Sequence, residues 1–472
     1  MAENTEKQVT DQKDSEFMLE PVPLNKRRST YDQVMVWIGF GYVVTGLVVG
    51  GSLAGFGGAP GLPPGKAMLA IALGMGSLFL ITSFLGIAAC NTGFNLSLLS
   101  RYSYGRKGIT IPMAVMALLT LGWFASITGM VGDIWGALLG NPTGVILFDP
   151  ATLGYSGIAP ITLETFLACA VWGTVFTITA VKGMSAIEWI AKLVSPLILL
   201  AAIVVGGIFL SQAGGLSAFL AKAGNTKGMM LGSGVTFVVG SWIAGAVMGV
   251  DLFRFNKNIP AVFMGAAACF IFTNPILNIV GYIGTIQVSQ FNYVIWMLGV
   301  NLVVALFGVF VWTTSLWTTN NGELYCNALY TGPTLEAFGM KKVNRRKLVI
   351  ICGIIGTVLG SLAFYQIFFS SFINILGSMA PPVCAPILAD YFVVRREKYS
   401  DKILHSQPAM RWAGIVSFAI GAVLGFIFQY VMPLPLGLPS GLAAMIITFV
   451  VYIVIYKFTP DKAADDALIK QI

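Results

Sequence analysis

The sequence predicts an all-α polytopic membrane protein with twelve transmembrane helices. The first observation is composition: 472 residues, 56% hydrophobic and only 10% charged, with a mean hydropathy of +0.82. Soluble domains carry about 25% charged residues. The second is that apolar runs of about 20 residues, the length that crosses a bilayer, recur along the whole chain. The third is an uneven distribution of Lys and Arg between alternate loops. Composition also removes several functions. His405 is the single histidine, which excludes histidine metal sites and Ser-His-Asp catalysis. The six cysteines (Cys90, Cys169, Cys269, Cys326, Cys352, Cys384) show no paired ligand spacing and read as small buried hydrophobes. No phosphate-binding loop is present, so ATP does not drive the protein directly. No nucleophile–base pair points to an enzyme, and no cofactor is called for. The net charge of +8 comes from basic residues scattered among loops, which does not suggest nucleic acid.

The twelve spans are placed at 33–56, 66–90, 109–138, 161–183, 185–212, 230–253, 259–286, 294–322, 347–365, 367–393, 411–432 and 436–458. Loops on one side hold only Lys66, Lys222 and Lys227. The other side holds Lys26, Arg27, Arg28, Arg101, Arg106, Lys107, Lys182, Arg254 and Lys257, then the clusters at 341–347 and 395–411. That bias places both termini in the cytoplasm of a multi-pass protein of the cell's inner or plasma membrane. The first 30 residues are polar, so no cleavable signal peptide is expected. Residues 1–30 form a cytoplasmic tail, mixed in charge and disordered over 1–24, and 459–472 form a second tail. The lipid bilayer is the evident partner, and no obligate protein partner is indicated.

Spans 1 and 6 are the unusual ones. They read "GFGYVVTGLVVGGSLAGFGG" (39–58) and "GSGVTFVVGSWIAGAVMG" (232–249), with glycines through their middles. Five spans separate their starts. Paired, glycine-interrupted helices in corresponding positions of two halves point to an inverted-repeat transporter, with both helices broken at mid-membrane. The repeats are then 31–213 and 230–394, with two further helices over 410–458. The same glycines would also serve close helix packing. Span 8 is unusual in another way. It runs from the apolar "VIWMLGVNLVVALFGVFVW" (294–312) into "SLWTTNNGELY" (315–325), a dense group of hydroxyls, amides and one carboxylate.

Six stretches taken together carry a family resemblance. They are "EPVPLNKRRS" (20–29), "SFLGIAACNTGFNLSLLSRYSYG" (83–105), "LGWFASITGM" (121–130), "VVGSWIAGAVMGVDLFRF" (238–255), "LWTTNNGELY" (316–325) and "MAPPVCAPILADYFVVRR" (379–396). In this order and spacing the chain resembles the nucleobase–cation symporter-1 family, nearest its bacterial cytosine permease branch. The resemblance implies a LeuT-type fold of two inverted five-helix repeats plus two helices. It implies cation-coupled import of a nucleobase or related flat heterocycle by alternating access. A channel-like or receptor-like membrane protein that binds a heterocycle without accumulating it is the alternative.

The resemblance also places site residues. Trp123 and Trp242 fall at the family's two stacking positions, and a flat base favours a π-face on each side. Ser241 and Gly245 match positions where the broken span 6 reads the base edge, and Asn320 matches an amide near the site. Two departures stand out: Thr120 replaces a glutamine and Ser315 an asparagine of the cytosine permeases. Shorter side chains predict a roomier pocket and weak cytosine binding, with Thr120 and Ser126 open to an edge bond. In sodium-coupled members, span-1 carbonyls and span-8 hydroxyls hold the ion. The matching groups here are the carbonyls of Gly39 and Val43 and the side chains of Ser315, Thr318 and Thr319, a possible Na⁺ site of oxygen ligands. The hydroxyls would otherwise bond back to their own helix.

Lys192, in "AIEWIAKLVSPLILL" (186–200), complicates that assignment. An ionisable residue inside a span is a functional candidate. Its ammonium would replace Na⁺, or its side chain would snorkel to the cytoplasm or pair with Glu188 or Glu323. The coupling ion is thus H⁺ or Na⁺, with H⁺ ahead. Asp251 and Arg254, where span 6 meets the cytoplasm, are expected to form a gate or architectural pair.

Overall fold

The computed structural model describes residues 17–43, 45–55, 59–155, 159–289, 293–340, 343–460, 462 and 465, with backbone alone at 184–188, 190–193, 195, 293–295 and 436. Helix occupies each of the twelve expected segments. Span 1 is split into α1 (Thr30–Gly41) and α2 (Thr45–Leu53). Then come α3 (Pro64–Thr92), the short α4 (Leu96–Tyr104), α5 (Thr110–Leu139), α6 (Leu163–Val181), α7 (Met184–Gln212) and the surface helix α8 (Leu216–Ala223). The second half begins with α9 (Leu231–Phe253) and α10 (Ile259–Val288), followed by α11 (Tyr293–Val300), α12 (Leu302–Ala337), α13 (Arg345–Ser361) and α14 (Phe364–Val394). It closes with α15 (Trp412–Val431) and α16 (Ser440–Phe458). Among the described residues nine helices are long and apolar enough to cross a membrane, and counting each of two bent pairs as one span gives eleven.

The polarity of the molecule runs inside out, as lipid demands. Leu69, Leu73 and Leu80 of α3 and Ile350, Ile354 and Val358 of α13 form exposed apolar stripes. Asn320, Asn327, Asp251, Arg254 and Thr128 are buried within the bundle. With lipid outside as apolar as leucine, association of such helices rests on close packing and internal hydrogen bonds. Glycines supply the first. A Cβ on Gly50 of α2 would lie 1.9 Å from the Asn278 carbonyl oxygen of α10, and one on Gly281 would lie 2.2 Å from that of Leu47.

The two glycine-rich spans differ. Span 1 is interrupted: α1 ends at Gly41, and α2 leaves at an angle of 49°. Span 6 was expected to break and does not; α9 is one helix of 23 residues, buried almost throughout. Its glycines are packing positions. A Cβ on Gly240 would approach the Ile373 carbonyl oxygen of α14 to 2.1 Å, and one on Gly249 would approach Thr82 Oγ1 of α3 to 2.3 Å. The close-packing alternative is therefore the correct one for span 6.

The N-terminal tail also departs from expectation. Residues 17–28 are fastened across one end of spans 2, 6 and 8. The Phe17 carbonyl accepts from Arg254, the Met18 carbonyl from Asn95 Nδ2 at 2.7 Å, and Val22 N–H donates to Gly93 O at 2.9 Å. Arg27 donates to the carbonyls of Cys90 and Asn256, ending the segment on spans 2 and 6. Beyond α16, Asp465 is buried between Arg395 and Arg411, so the second tail also returns to the bundle.

Candidate functional site

The break in span 1 creates the site's chemistry. A helix leaves its last carbonyls without intrahelical partners. Here side chains from two other helices reach them. Ser315 Oγ of α12 donates to Tyr42 O at 2.6 Å, and Thr318 Oγ1 lies 3.2 Å from Gly39 O and 2.7 Å from Ser315 O. Asn274 Nδ2 of α10 donates to Gly41 O at 3.2 Å. Opposite the break, α10 widens into a π-helical turn at Ala268–Thr273, a feature that frequently marks functional sites. A Cβ on Gly41 would lie 2.1 Å from Thr273 Oγ1, so only glycine permits this approach.

The structure places all five of the expected oxygen ligands. Gly39, Ser315 and Thr318 come together. Thr319 is buried on the same helix, and its Oγ1 has no partner. The Val43 carbonyl accepts the Gly46 N–H at 2.9 Å, and the Tyr42 carbonyl is the one that meets α12. These are neutral oxygens, the ligand class of hard monovalent and divalent cations. Among the described residues no three His, Cys, Asp or Glu side chains group to hold a metal ion. Lys192 lies on α7, which packs against both α1 and α12, but its side chain and that of Glu188 fall outside the described residues.

The two tryptophans are each held edge-on by phenylalanines. Trp123 of α5 meets Phe369 and Phe372 of α14 at ring distances of 6.0 and 5.8 Å. Phe372 can approach because Gly122 has no side chain; a Cβ there would lie 2.7 Å from its ring. Trp242 of α9 meets Phe40 of α1 and Phe270 of α10 at 5.2 and 5.7 Å, both near perpendicular. No ring contact joins the two tryptophans among the described residues. Gly245 is the seat of the Trp242 indole: a Cβ on it would lie 2.6 Å from Trp242 Cε3. This replaces the expected role of Ser241 and Gly245. Because α9 is unbroken, their backbone groups belong to the helix ladder, and Ser241 Oγ donates back to Val238 O at 2.7 Å.

Two asparagines stitch α12 to α5. Asn320 Nδ2 donates to Phe124 O and Thr128 Oγ1 at 3.3 and 3.1 Å. Asn327 Nδ2 donates to Ala117 O and Thr120 Oγ1 at 2.7 and 3.0 Å. Thr120 is thus buried in a helix contact, donating to Met116 O, and does not widen a pocket as expected. Asn320 Oδ1, Ser126 Oγ and Trp242 Nε1 are buried without partners.

A family model described as the permease for cytosine/purines, uracil, thiamine and allantoin matches residues 21–456. The chain belongs to this permease family. It is 26% identical over 416 residues to the cytosine permease of Escherichia coli K12, covering 87% of this chain and 89% of that one. It is 25% identical over 387 residues to the hydantoin permease of Microbacterium maritypicum, covering 77% and 75%. The fold matches Mhp1, a nucleobase–cation symport-1 family transporter solved in a closed conformation with bromovinylhydantoin bound. The TM-score is 0.73 at 21% identity, over 93% of this chain and 96% of that one. The inward-facing conformation of Mhp1 gives 0.71. The expected LeuT-type, all-α membrane architecture is the one observed, and the protein is a membrane transporter of the heterocycle-permease class.

In this permease Asp251 and Arg254, expected to pair with each other, are bonded to groups of other elements at the end of α9. Asp251 accepts from the Leu96 N–H at 3.1 Å and from Tyr330 Oη at 2.7 Å, tying α9 to α4 and α12. Arg254 donates to the Asp251 and Phe17 carbonyls and to Tyr325 Oη, and stacks on Phe255. Sequence reasoning missed Phe40 and Asn274 at the break, and read Glu323 only as a partner for Lys192. Glu323 alone carried a signal, a carboxylate inside an apolar span.

Proposed function

We propose that the protein is a cation-coupled secondary active importer of a nucleobase or related flat heterocycle, working by alternating access. The observation that carries this reading is the meeting of Ser315 and Thr318 with the end carbonyls of the broken span 1. A cation that took these oxygens would tie α12 to α1, and Phe40 of α1 packs against Trp242. Ion binding and the substrate pocket would then share one helix end. In this reading Trp123 and Trp242 stack on the ring, and Asn320 and Ser126 meet its edge. Residues 31–213 and 230–394 act as the two inverted repeats, and both termini lie in the cytoplasm.

The coupling ion is Na⁺ or H⁺, and Lys192 decides between them. An ammonium and a sodium ion repel by about 4 kcal/mol at 4 Å in a partly buried setting, so one small site does not hold both. If Lys192 occupies the site, uptake follows the proton gradient and ignores Na⁺, and Lys192→Ala removes proton dependence. If it does not, Na⁺ raises substrate affinity and Thr318→Ala erases that effect. Affinity measured against Na⁺ at fixed pH separates the two. A protein that binds a heterocycle but never concentrates it in vesicles under either gradient would instead be channel-like or receptor-like.

A further inference from the structure

Glu323 is a buried carboxylate on α12, and its Oε2 has no hydrogen-bond partner. Its direction follows from its neighbours on the helix. Asn320 and Asn327 fix one side of α12 against α5. Ser315, Thr318 and Gly322 fix another against α1, where the Phe40 ring would lie 2.7 Å from a Cβ on Gly322. At about 100° per residue, Glu323 lies between these sides. It points the same way as Tyr330, seven positions on, whose hydroxyl reaches Asp251 of α9. Glu323 therefore faces the space enclosed by α1, α5 and α9.

Its depth is fixed as well. The Phe40 ring touches the positions of both Gly245 and Gly322, so these two glycines lie at one level. Gly245 seats the Trp242 indole, and Glu323 follows Gly322 directly. On the other flank Asn320 bonds to the carbonyl of Phe124, the residue after Trp123. The carboxylate thus stands at the level of both tryptophans, about one helical turn from Asn320, whose Oδ1 has no partner.

We propose that Glu323 reads the edge of the ring held between Trp123 and Trp242, and selects heterocycles that present two adjacent N–H donors. The proposal rests on the heterocycle-transport reading above. Two parallel ligand donors hold the Glu323 carboxyl in its ionised form, which only accepts hydrogen bonds and whose two oxygens match the pair. A ring N–H beside an exocyclic amino group, as in a 2-amino-6-oxopurine, supplies that pair. A ring carbonyl at the same place turns a lone pair on the carboxylate, and a site built for a donor rejects the analogue that lacks it.

The test uses the full-length protein in detergent and three purines of one frame: guanine, hypoxanthine without the amino group, and xanthine with a carbonyl in its place. Guanine is expected to bind about tenfold or more tighter than hypoxanthine, the worth of one charge-assisted bond, with xanthine weakest. Glu323→Gln keeps the size but loses the charge, and should collapse that ranking. Equal binding of guanine and hypoxanthine by the unaltered protein overturns the proposal, and needs no variant that folds. A ranking preserved in Glu323→Gln, with only ion dependence changed, also overturns it. If instead no flat heterocycle binds, or Trp123→Ala and Trp242→Ala bind as tightly as the unaltered protein, the transport reading itself fails.

Discussion

Spans 1 and 6 carry glycines at similar density, yet α1 stops at Gly41 while α9 runs unbroken from Leu231 to Phe253. The difference lies in what surrounds each glycine. Around the end of α1 stand Ser315, Thr318 and Asn274, which satisfy the carbonyls a break releases. Against the glycines of α9 stand a carbonyl, a hydroxyl and a ring: Ile373 O at Gly240, Thr82 Oγ1 at Gly249 and the helix's own Trp242 indole at Gly245. Glycine permits both outcomes. A buried break is sustained only where other elements supply donors, because an unmet carbonyl in an apolar interior costs about 1–3 kcal/mol.

The comparison can be broken at several points. The largest effect is expected at Gly240. A methyl group there would meet a backbone carbonyl rather than a flexible chain end, so Gly240→Ala should destabilise the bundle by about 3 kcal/mol or more. A large fall in the melting temperature of purified protein would show it. An unchanged melting temperature would mean that α9 does not need this approach.

Trp242→Ala comes next, since the indole joins the unbroken helix to Phe40 of the broken one. Loss of a stacked face should weaken ligand binding by about 1–3 kcal/mol, with the fold intact by circular dichroism. Trp123→Ala should act similarly. Near-unaltered affinity in either would remove the stacking role.

Ser315→Ala leaves the Tyr42 carbonyl without its side-chain donor, and should weaken binding or its ion dependence by about 1–2 kcal/mol. Titration of substrate at several cation concentrations checks this. Ser241→Ala should change least, within about 0.5 kcal/mol, because that hydroxyl only bonds back to its own helix. A large loss of affinity there would restore an edge-reading role for span 6.

Sequence carried the spans well, because an apolar run of membrane length has few other uses. A resemblance pointed to Trp123, Trp242, Gly39, Ser315 and Thr318, and the structure brings the last three together. Sequence did not distinguish the fates of the two glycine runs. That distinction depends on Asn274 and Ile373, residues distant in sequence from the glycines they meet. The choice of Tyr42 over Val43 depends on where α1 ends, by one residue. Thr120 reads as a pocket residue because the resemblance puts it where the cytosine permeases carry a glutamine; only Asn327, 207 positions away, shows that its hydroxyl is engaged. The contacts of 17–28 were hidden for a related reason, since polar composition does not report the carbonyls that Arg254 and Asn95 take from that segment.

The central claim is that an ion held between the end of α1 and α12 drives accumulation of a heterocycle. Proteoliposomes offered labelled cytosine, guanine or hydantoin, with either a Na⁺ or a proton gradient imposed, test it most directly. The account predicts that at least one compound is concentrated above its outside level under one gradient, and that Thr318→Ala retains binding but loses concentration. Equilibration without accumulation under both gradients, or full accumulation by Thr318→Ala, would contradict it.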